Sequence, residues 1–141
     1  MDVHTKKQRS HNMSNIKGIN TIPEIVIAKL LSDLKIPFIS HSRELAGKPD
    51  FFIPSLKLII EVYGCFWHAH DACKFFKLPL TNRAFWSDKI ASNKLRDKKN
   101  IDFLHKSGLK VVIVWECEIK NGCYFEHVLN QLTRAAQRTK S

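Results

Sequence analysis

The sequence lacks any apolar run approaching the roughly 20 residues that a membrane-spanning helix needs. Residues 1–15 contain no apolar stretch, so we expect no secretory signal and a cytoplasmic protein without membrane contact. Internal repeats, low-complexity tracts and linkers rich in Pro or Gly are also lacking, and 141 residues suit one hydrophobic core. We therefore predict a single domain over residues 1–141, in which the four cysteines serve metal or thiol chemistry rather than a disulfide framework.

Acidic residues are scarce, because 13 Asp and Glu stand against 23 Lys and Arg and leave a formal net charge of +10. This surplus indicates a polyanionic partner, most simply nucleic acid. The charge is +3 in an N-terminal arm, residues 1–20, and +7 in residues 74–110, whereas residues 21–73 carry −1. A solvated basic helix would explain residues 74–110 alone, but two basic regions around an acid-containing centre favour a phosphate-binding surface beside a metal site.

Hydrophobic periodicity predicts the element order α-β-β-β-α-β-α, with a mixed sheet between helices. A capping box at Thr21–Glu24 is expected to open the first helix, which would end near Lys35. Gly108 is expected to stop the second helix. The predicted strands cover residues 37–40, 51–53, 57–63 and 109–115, and the later helices cover residues 83–106 and 124–138.

Two carboxylates, Asp50 and Glu61, flank a predicted turn with ten residues between them. In a hairpin this spacing can bring the first residue of one strand beside a late residue of the next. Converging carboxylates would form an oxygen-rich site suited to Mg²⁺. Ordinary strand-end acids paired with lysines are the alternative, but Glu61 interrupts an apolar run, where an unpaired charge is costly.

A second candidate site lies in the run CFWHAHDAC and beyond it. Closed structural zinc sites use four nitrogen or sulfur ligands, and this chain offers a Cys₃His set: Cys65, His70, Cys73 and Cys117. Such a clip would order the irregular segment over residues 64–82. The spacing is not that of a standard finger, so buried cysteines with surface histidines remain an alternative, and Cys123 competes with Cys117 as the fourth ligand.

His68 is the imidazole that this ligand set leaves over, and it is a candidate general base, although a lone His is more often structural. Phe66 and Trp67 in the same loop, and Trp86 at the start of the basic helix, are bulky aromatic residues beside cationic ones. Core packing is the default role of such residues. Wedging between base steps of DNA is the functional alternative.

Several sequence motifs follow one another along nearly the whole chain. They are RSHNMSNIK (9–17), TIPE (21–24), GKPDF (47–51), IEVYGCFWHAHDAC (60–73), LPLTNRAFW (78–86), the helix face with Lys89, Asn93, Arg96 and Asp97, and VVIVWEC (111–117). In this order they resemble the motifs of the very-short-patch repair (Vsr) mismatch endonucleases, a branch of the PD-(D/E)xK nuclease superfamily. The combination of GCFWH with a later WEC is highly specific.

The resemblance implies a restriction-endonuclease-like α/β fold with an αβββαβ core, a mixed sheet flanked by helices, and a zinc-clipped loop. It implies an enzyme that nicks duplex DNA on the 5′ side of the thymine in a T:G mismatch. Mg²⁺ would be the catalytic ion and Zn²⁺ the structural one, and the products would be a 5′-phosphate and a 3′-hydroxyl. Double-stranded DNA with a T:G mismatch is the expected substrate, mismatch-repair proteins are candidate partners, and a monomer is expected.

The same resemblance assigns roles to individual residues. Asp50 would hold Mg²⁺ together with the Val62 backbone carbonyl, His68 would be the general base, and Glu24 would be an auxiliary acid that positions metal and water. The cysteines and His70 named above fall on the structural zinc ligands. The residues that would contact DNA are the aromatic Phe66, Trp67 and Trp86, and the further residues Arg9, Asn12, Met13, Lys89, Asn93 and Arg96.

Two positions depart from the family pattern. Tyr63 stands in the position of the superfamily's catalytic Lys, where Vsr enzymes often have a polar residue. Glu61 restores the superfamily's second carboxylate, so we expect it to ligate Mg²⁺ directly.

Two other functions stay open, namely a Vsr-like restriction or homing nicking endonuclease on matched DNA, and a non-catalytic, zinc-containing DNA-binding module. The set of acids with His68 argues against the module, which needs no such groups.

Overall fold

The computed structural model describes residues 21–140, with the backbone alone at Lys140, so the predicted basic arm and its DNA contacts Arg9, Asn12 and Met13 lie outside the described residues. The helices are α1 (Ile22–Asp33), α2 (Arg83–Lys106), α3 (Glu116–Asn121) and α4 (Tyr124–Lys140). The strands are β1 (Ile39–Ser40), β2 (Phe51–Ile53), β3 (Leu58–Tyr63) and β4 (Lys110–Trp115), and a 3₁₀ turn (Pro54–Leu56) joins β2 to β3.

The four strands form one mixed sheet in the order β1-β2-β3-β4. β2 pairs antiparallel with both β1 and β3, whereas β3 pairs parallel with β4, so the long helix α2 serves as the crossover between the parallel strands. Ile60 sets the register, since it lies opposite both Phe51 and Val112. This arrangement confirms the predicted restriction-endonuclease-like α/β fold with helices flanking a mixed sheet.

The two faces of β3 point to different surroundings, because side chains alternate along a strand. Leu58 and Ile60 are fully buried in the main core with side chains from α1 and α4, among them Ile27 and Val128. Ile59 is also fully buried but points to the opposite face. The strand is therefore covered on both sides, as its apolar run predicts. Glu61 and Tyr63 follow Ile59 on that opposite face.

The structure corrects one strand boundary and one cap. The strand predicted over residues 37–40 is limited to β1, Ile39–Ser40. Thr21 is the N-cap of α1, but it makes no side-chain capping hydrogen bond, so the predicted capping box is wrong. Its Glu partner, Glu24, is instead buried at 6% exposure and faces His41. The short helix α3 was not expected, whereas Gly108 follows the end of α2 at φ +85°, as predicted. In residues 21–140 there is no helix long and apolar enough to cross a bilayer.

Candidate functional site

The hairpin of β2 and β3 brings Asp50 and Glu61 together. Because Phe51 lies opposite Ile60, the preceding and following residues meet at the end of the strand pair. The Asp50 backbone N–H donates a hydrogen bond to Glu61 Oε1 at 2.9 Å, and the Val62 backbone N–H donates to Asp50 Oδ2 at 2.7 Å. The Asp50 carboxylate is therefore held firmly through Oδ2, and Oδ1 faces away from that contact.

Asp50 Oδ1 points to His41, a residue without an assigned role in the sequence prediction. His41 Nε2 lies 3.5 Å from Asp50 Oδ1 and 3.3 Å from Glu24 Oε2. Ligand atoms of Glu24, His41 and Asp50 all lie within 4.8 Å of one another, a spacing that could hold a metal ion. The β1–β2 register places His41 here, because Ser40 lies opposite Phe51. Sequence analysis could have identified His41 as a site residue only by predicting the register of β1 against β2.

Burial and mutual repulsion dominate the electrostatics of these acids. The pKa of Asp50 is raised from 3.8 to about 6, chiefly by burial and in smaller part by the charge of Glu24, against the lowering effect of the Val62 hydrogen bond. Burial also raises the pKa of Glu61 from 4.5 to about 8, with the Asp50 charge as the next cause. Clustered carboxylates whose ionised forms are disfavoured are the oxygen donors that a divalent cation would stabilise.

His68 is held beside these acids by contacts on two sides. Its Nδ1 lies 2.5 Å from Oδ2 of Asp97 on α2, and its ring stacks on Tyr63 with centroids 3.9 Å apart. With Nδ1 engaged by a carboxylate, Nε2 is the ring nitrogen left for other chemistry. Asp97 belongs to the matched helix face but had no predicted role. Burial raises the pKa of the Tyr63 phenol, so Tyr63 remains protonated and contributes its ring.

The predicted Cys₃His cluster lies beyond the carboxyl ends of the parallel strands β3 and β4. Ligand atoms of Cys65, His70, Cys73 and Cys117 lie within 4.8 Å of one another. His70 Nδ1 is 3.5 Å from the Sγ atoms of both Cys65 and Cys117, and its ring stacks on Trp115. Cys123 is exposed and outside the cluster, so the geometry favours Cys117 as the fourth ligand. Soft sulfur and imidazole donors in this number fit Zn²⁺.

The predicted DNA-contacting aromatic residues form one group, which we call the aromatic cluster: Phe66, Trp67 and Trp86. Their ring centroids are 5.1 to 5.9 Å apart, and all three side chains are partly exposed. Asn93 differs from the expectation of a DNA contact, because it is only 5% exposed and its Nδ2 donates to the Trp67 carbonyl at 2.9 Å. Asn93 therefore supports the aromatic cluster through the backbone of Trp67.

Exposed cations line the outer side of α2. Lys89 and Arg96 are exposed, and Lys94 lies 3.6 Å from Asp71. A cleft of about 490 Å³ opens beside the His68–Asp97 pair, and Lys94 and Lys98 are among its lining residues. Positive side chains thus border the candidate site on the helix side.

The sheet topology and the acids at the end of its hairpin define a restriction-endonuclease-like α/β protein with two candidate metal sites. Comparisons with known proteins agree, since the profile of the DNA mismatch endonuclease Vsr family matches residues 1–74. The chain belongs to this Vsr family, as its motifs predict, and the relatives that it resembles are named as DNA endonucleases.

Three relatives illustrate the similarity. The DNA mismatch endonuclease Vsr of Escherichia coli K12 is 40% identical and aligns with 84% of this chain and 76% of its own. The type II nicking enzyme V.NmeAIP of Neisseria meningitidis serogroup A is 37% identical, with 94% of each chain aligned. The type II nicking enzyme V.XorIIP of Xanthomonas oryzae pv. oryzae is 36% identical, with 82% of this chain and 84% of its own aligned.

Proposed function

We propose that this protein is a mismatch endonuclease that nicks duplex DNA on the 5′ side of the thymine in a T:G mismatch. The reaction would be Mg²⁺-dependent hydrolysis that leaves a 5′-phosphate and a 3′-hydroxyl. The observation that carries the proposal is the Glu24–His41–Asp50 group at the end of the hairpin, with the His68–Asp97 pair close enough to act electrostatically on Asp50 and Glu61. The names of the E. coli and N. meningitidis relatives, a mismatch endonuclease and a nicking enzyme, support it.

His68 is suited to act as the general base in this reaction. Asp97 accepts a hydrogen bond from the Nδ1–H of His68, which leaves Nε2 to take a proton from water as the water oxygen attacks phosphorus and the bond from phosphorus to the 3′ oxygen breaks. The carboxylate of Asp97 also stabilises the imidazolium that forms. Tyr63 fixes the plane of the ring by stacking, so both Tyr63 and Asp97 are positioning residues.

The acids at the hairpin end fit a hard divalent cation such as Mg²⁺, because they offer clustered carboxylate oxygens. Asp50 would hold it through Oδ1, with Glu24 as the auxiliary acid and the Val62 carbonyl as a further oxygen. When bound, the ion supplies charge that stabilises the phosphorane-like transition state and the leaving oxygen. Direct ligation by Glu61 is part of the proposal, although one of its oxygens already accepts the Asp50 N–H.

Selectivity for T:G would come from the aromatic cluster. Phe66 and Trp67 lie in the loop that carries His68, and Trp86 lies in the first turn of α2. The three rings could enter a base step and open it. A mismatched step unstacks more easily than a matched one, and the penalty is on the order of a few kcal/mol. Lys89, Lys94 and Arg96 would hold backbone phosphates nearby, and Zn²⁺ in the Cys₃His cluster would order the loop.

One assay separates this function from its alternatives. The full chain, loaded with Zn²⁺, is incubated with Mg²⁺ and end-labelled duplexes that carry T:G, every other mismatch or a matched pair. We expect a single nick 5′ to the thymine of T:G. Equal cutting of the matched duplex would favour a restriction or homing nicking enzyme, and tight binding without cutting would favour a DNA-binding module.

Variants make the same assay a test of the site. Asp50→Ala should abolish nicking while T:G binding persists, and Cys123→Ser, at an exposed thiol outside both clusters, is the matched control. Cleavage that survives Asp50→Ala would remove the assignment of Asp50.

Because one set of these groups cuts one strand, we propose that the monomer is active. We also propose that mismatch-repair proteins assist it. Sedimentation of the active species on DNA checks the first of these points.

A further inference from the structure

The side chain of His41 presents an unusual buried atom. Its Nε2 has essentially no accessible surface and makes no hydrogen bond within the described residues. Buried polar atoms almost always have a partner, so an exception needs an explanation. The two nearest acceptors, Glu24 Oε2 at 3.3 Å and Asp50 Oδ1 at 3.5 Å, lie within ion-pair distance but do not meet hydrogen-bond geometry.

These distances suit atoms that surround a common ion. A cation with bonds of about 2.1 Å holds neighbouring octahedral ligands about 3 Å apart and opposite ligands about 4.2 Å apart. The separations of 3.3 and 3.5 Å are near the first value, and all three ligand atoms lie within 4.8 Å of one another. Asp50 contributes Oδ1 because Oδ2 is already bound to the Val62 N–H.

The backbone of His41 is in a strained conformation. Its φ is +52°, in the left-handed region that a residue with a side chain rarely adopts. The His41 N–H donates to the carbonyl oxygens of Pro49 and Asp50, at 3.0 and 3.3 Å. Strained backbone that neighbouring bonds enforce is typical of functional positions. The strain here directs the imidazole to the carboxylates of Glu24 and Asp50.

We infer that His41 is a ligand of the divalent cation, through Nε2, and that Glu24, His41 and Asp50 form one mixed nitrogen–oxygen site. The inference rests on the proposed cation role of Asp50 and adds a nitrogen donor to it. Imidazole binds Mn²⁺ and Co²⁺ more strongly than it binds Mg²⁺, which prefers oxygen. The site should therefore bind Mn²⁺ more tightly than Mg²⁺, and His41 should account for much of that difference.

Mn²⁺ bound to the Zn²⁺-loaded full chain provides the test, because Mn²⁺ is paramagnetic. Electron spin-echo spectroscopy should show the ¹⁴N coupling of a directly bound imidazole in the wild-type protein. His41→Gln, which keeps size and polarity, should lose this signal and bind Mn²⁺ at least about tenfold more weakly, with a smaller change for Mg²⁺. His68→Gln, the matched control at the neighbouring imidazole, should keep the signal.

Each other outcome overturns the inference. Wild-type protein with bound Mn²⁺ and no directly bound nitrogen would refute it, whether or not a His41 variant folds. A signal that persists in His41→Gln and vanishes in His68→Gln would transfer the ligand role to His68. Asp50→Asn distinguishes the proposed cation site from the ligand role of His41. An unchanged Mn²⁺ affinity in this variant would contradict the cation site itself. A lost affinity in the variant, together with no nitrogen signal in the wild type, would contradict His41 alone.

Discussion

Replacing Glu61 with Gln tests the electrostatics of the site without removing its hydrogen bond. Gln keeps the oxygen that accepts the Asp50 N–H at 2.9 Å but carries no charge. The pKa of Glu61 is raised to about 8, chiefly by burial and then by the charges of Asp50, Asp97 and Glu24, against the lowering effect of the hydrogen bond from the Asp50 N–H. We therefore expect Glu61→Gln to stabilise the protein when no divalent cation occupies the catalytic site.

The sign and size of the effect follow from linkage between protonation and folding. Because the folded-state pKa of Glu61 is above its ordinary value of 4.5, the group does not oppose folding below pH 4.5 and destabilises the protein as pH rises to about 8. The difference, 8 − 4.5, is 3.5 units, and at about 1.4 kcal/mol per unit it sets an upper limit of about 5 kcal/mol. Asp50 titrates together with Glu61, so we expect roughly 2–3 kcal/mol at pH 8.

Urea unfolding of the Zn²⁺-loaded protein, freed of other divalent ions, measures this difference. The free energy of unfolding should be the same for wild type and Glu61→Gln at pH 4.5, and the variant should become the more stable protein as pH approaches 8. Glu44→Gln is the control at an exposed acid, and its effect should be small at every pH. A wild-type advantage at pH 8, or a difference that does not change with pH, would refute the reasoning.

Mg²⁺ adds a second arm to the experiment. If Glu61 ligates the ion, Mg²⁺ should stabilise the wild type more than Glu61→Gln, because it offsets the charge that the variant lacks. The variant should also nick more slowly and need more Mg²⁺. If Glu61→Gln keeps both the Mg²⁺ dependence and the nicking rate of the wild type, Glu61 is not a ligand.

Three further outcomes are expected. Asp97→Asn should lower the rate constant of nicking by about 10²–10⁴-fold with little change in DNA affinity, because His68 loses its orienting carboxylate; single-turnover kinetics and binding assays separate the two, and a loss of affinity alone would contradict the role. Lys89→Ala should reduce the salt dependence of DNA binding by nearly one unit in the slope of log K against log salt, and an unchanged slope would exclude a phosphate contact. Chelation of Zn²⁺ should lower the melting temperature, an effect that Cys117→Ser should reproduce and Cys123→Ser should not; equal melting temperatures with and without the ion would contradict a structural clip.

The parts of the site that the sequence could predict are those that local spacing determines. A tight connection between two strands leaves few registers, so ten intervening residues suffice to bring Asp50 beside Glu61. In the same way, Cys65, His70 and Cys73 lie close together along the chain and need only a curved loop to converge. The apolar run of β3 predicts a strand buried on both faces for the same local reason.

Long-range packing determines the rest, and the sequence carries little signal for it. His41 looks like a polar loop residue until the two-residue strand β1 pairs with β2 and places it opposite Asp50. Asp97 lies on a mostly exposed helix, and only the docking of α2 brings it to His68. Asn93 illustrates the reverse error, since a polar residue on a basic helix suggests DNA contact, whereas packing turns it inward to Trp67.

The two metal-site candidates are mechanically linked through the loop that carries His68. Two backbone hydrogen bonds, from His68 N–H to Gly64 and from His70 N–H to Cys65, fold the loop back on itself. Ala69 adopts φ +50°, a strained value for alanine, directly between His68, the proposed general base, and His70 of the Cys₃His cluster. Ligation on both sides of His68 would offset that strain. A structural ion in the Cys₃His cluster would therefore orient the imidazole of His68. We expect removal of this ion to lower the nicking rate before it unfolds the sheet, as parallel activity and circular dichroism titrations with a chelator would show.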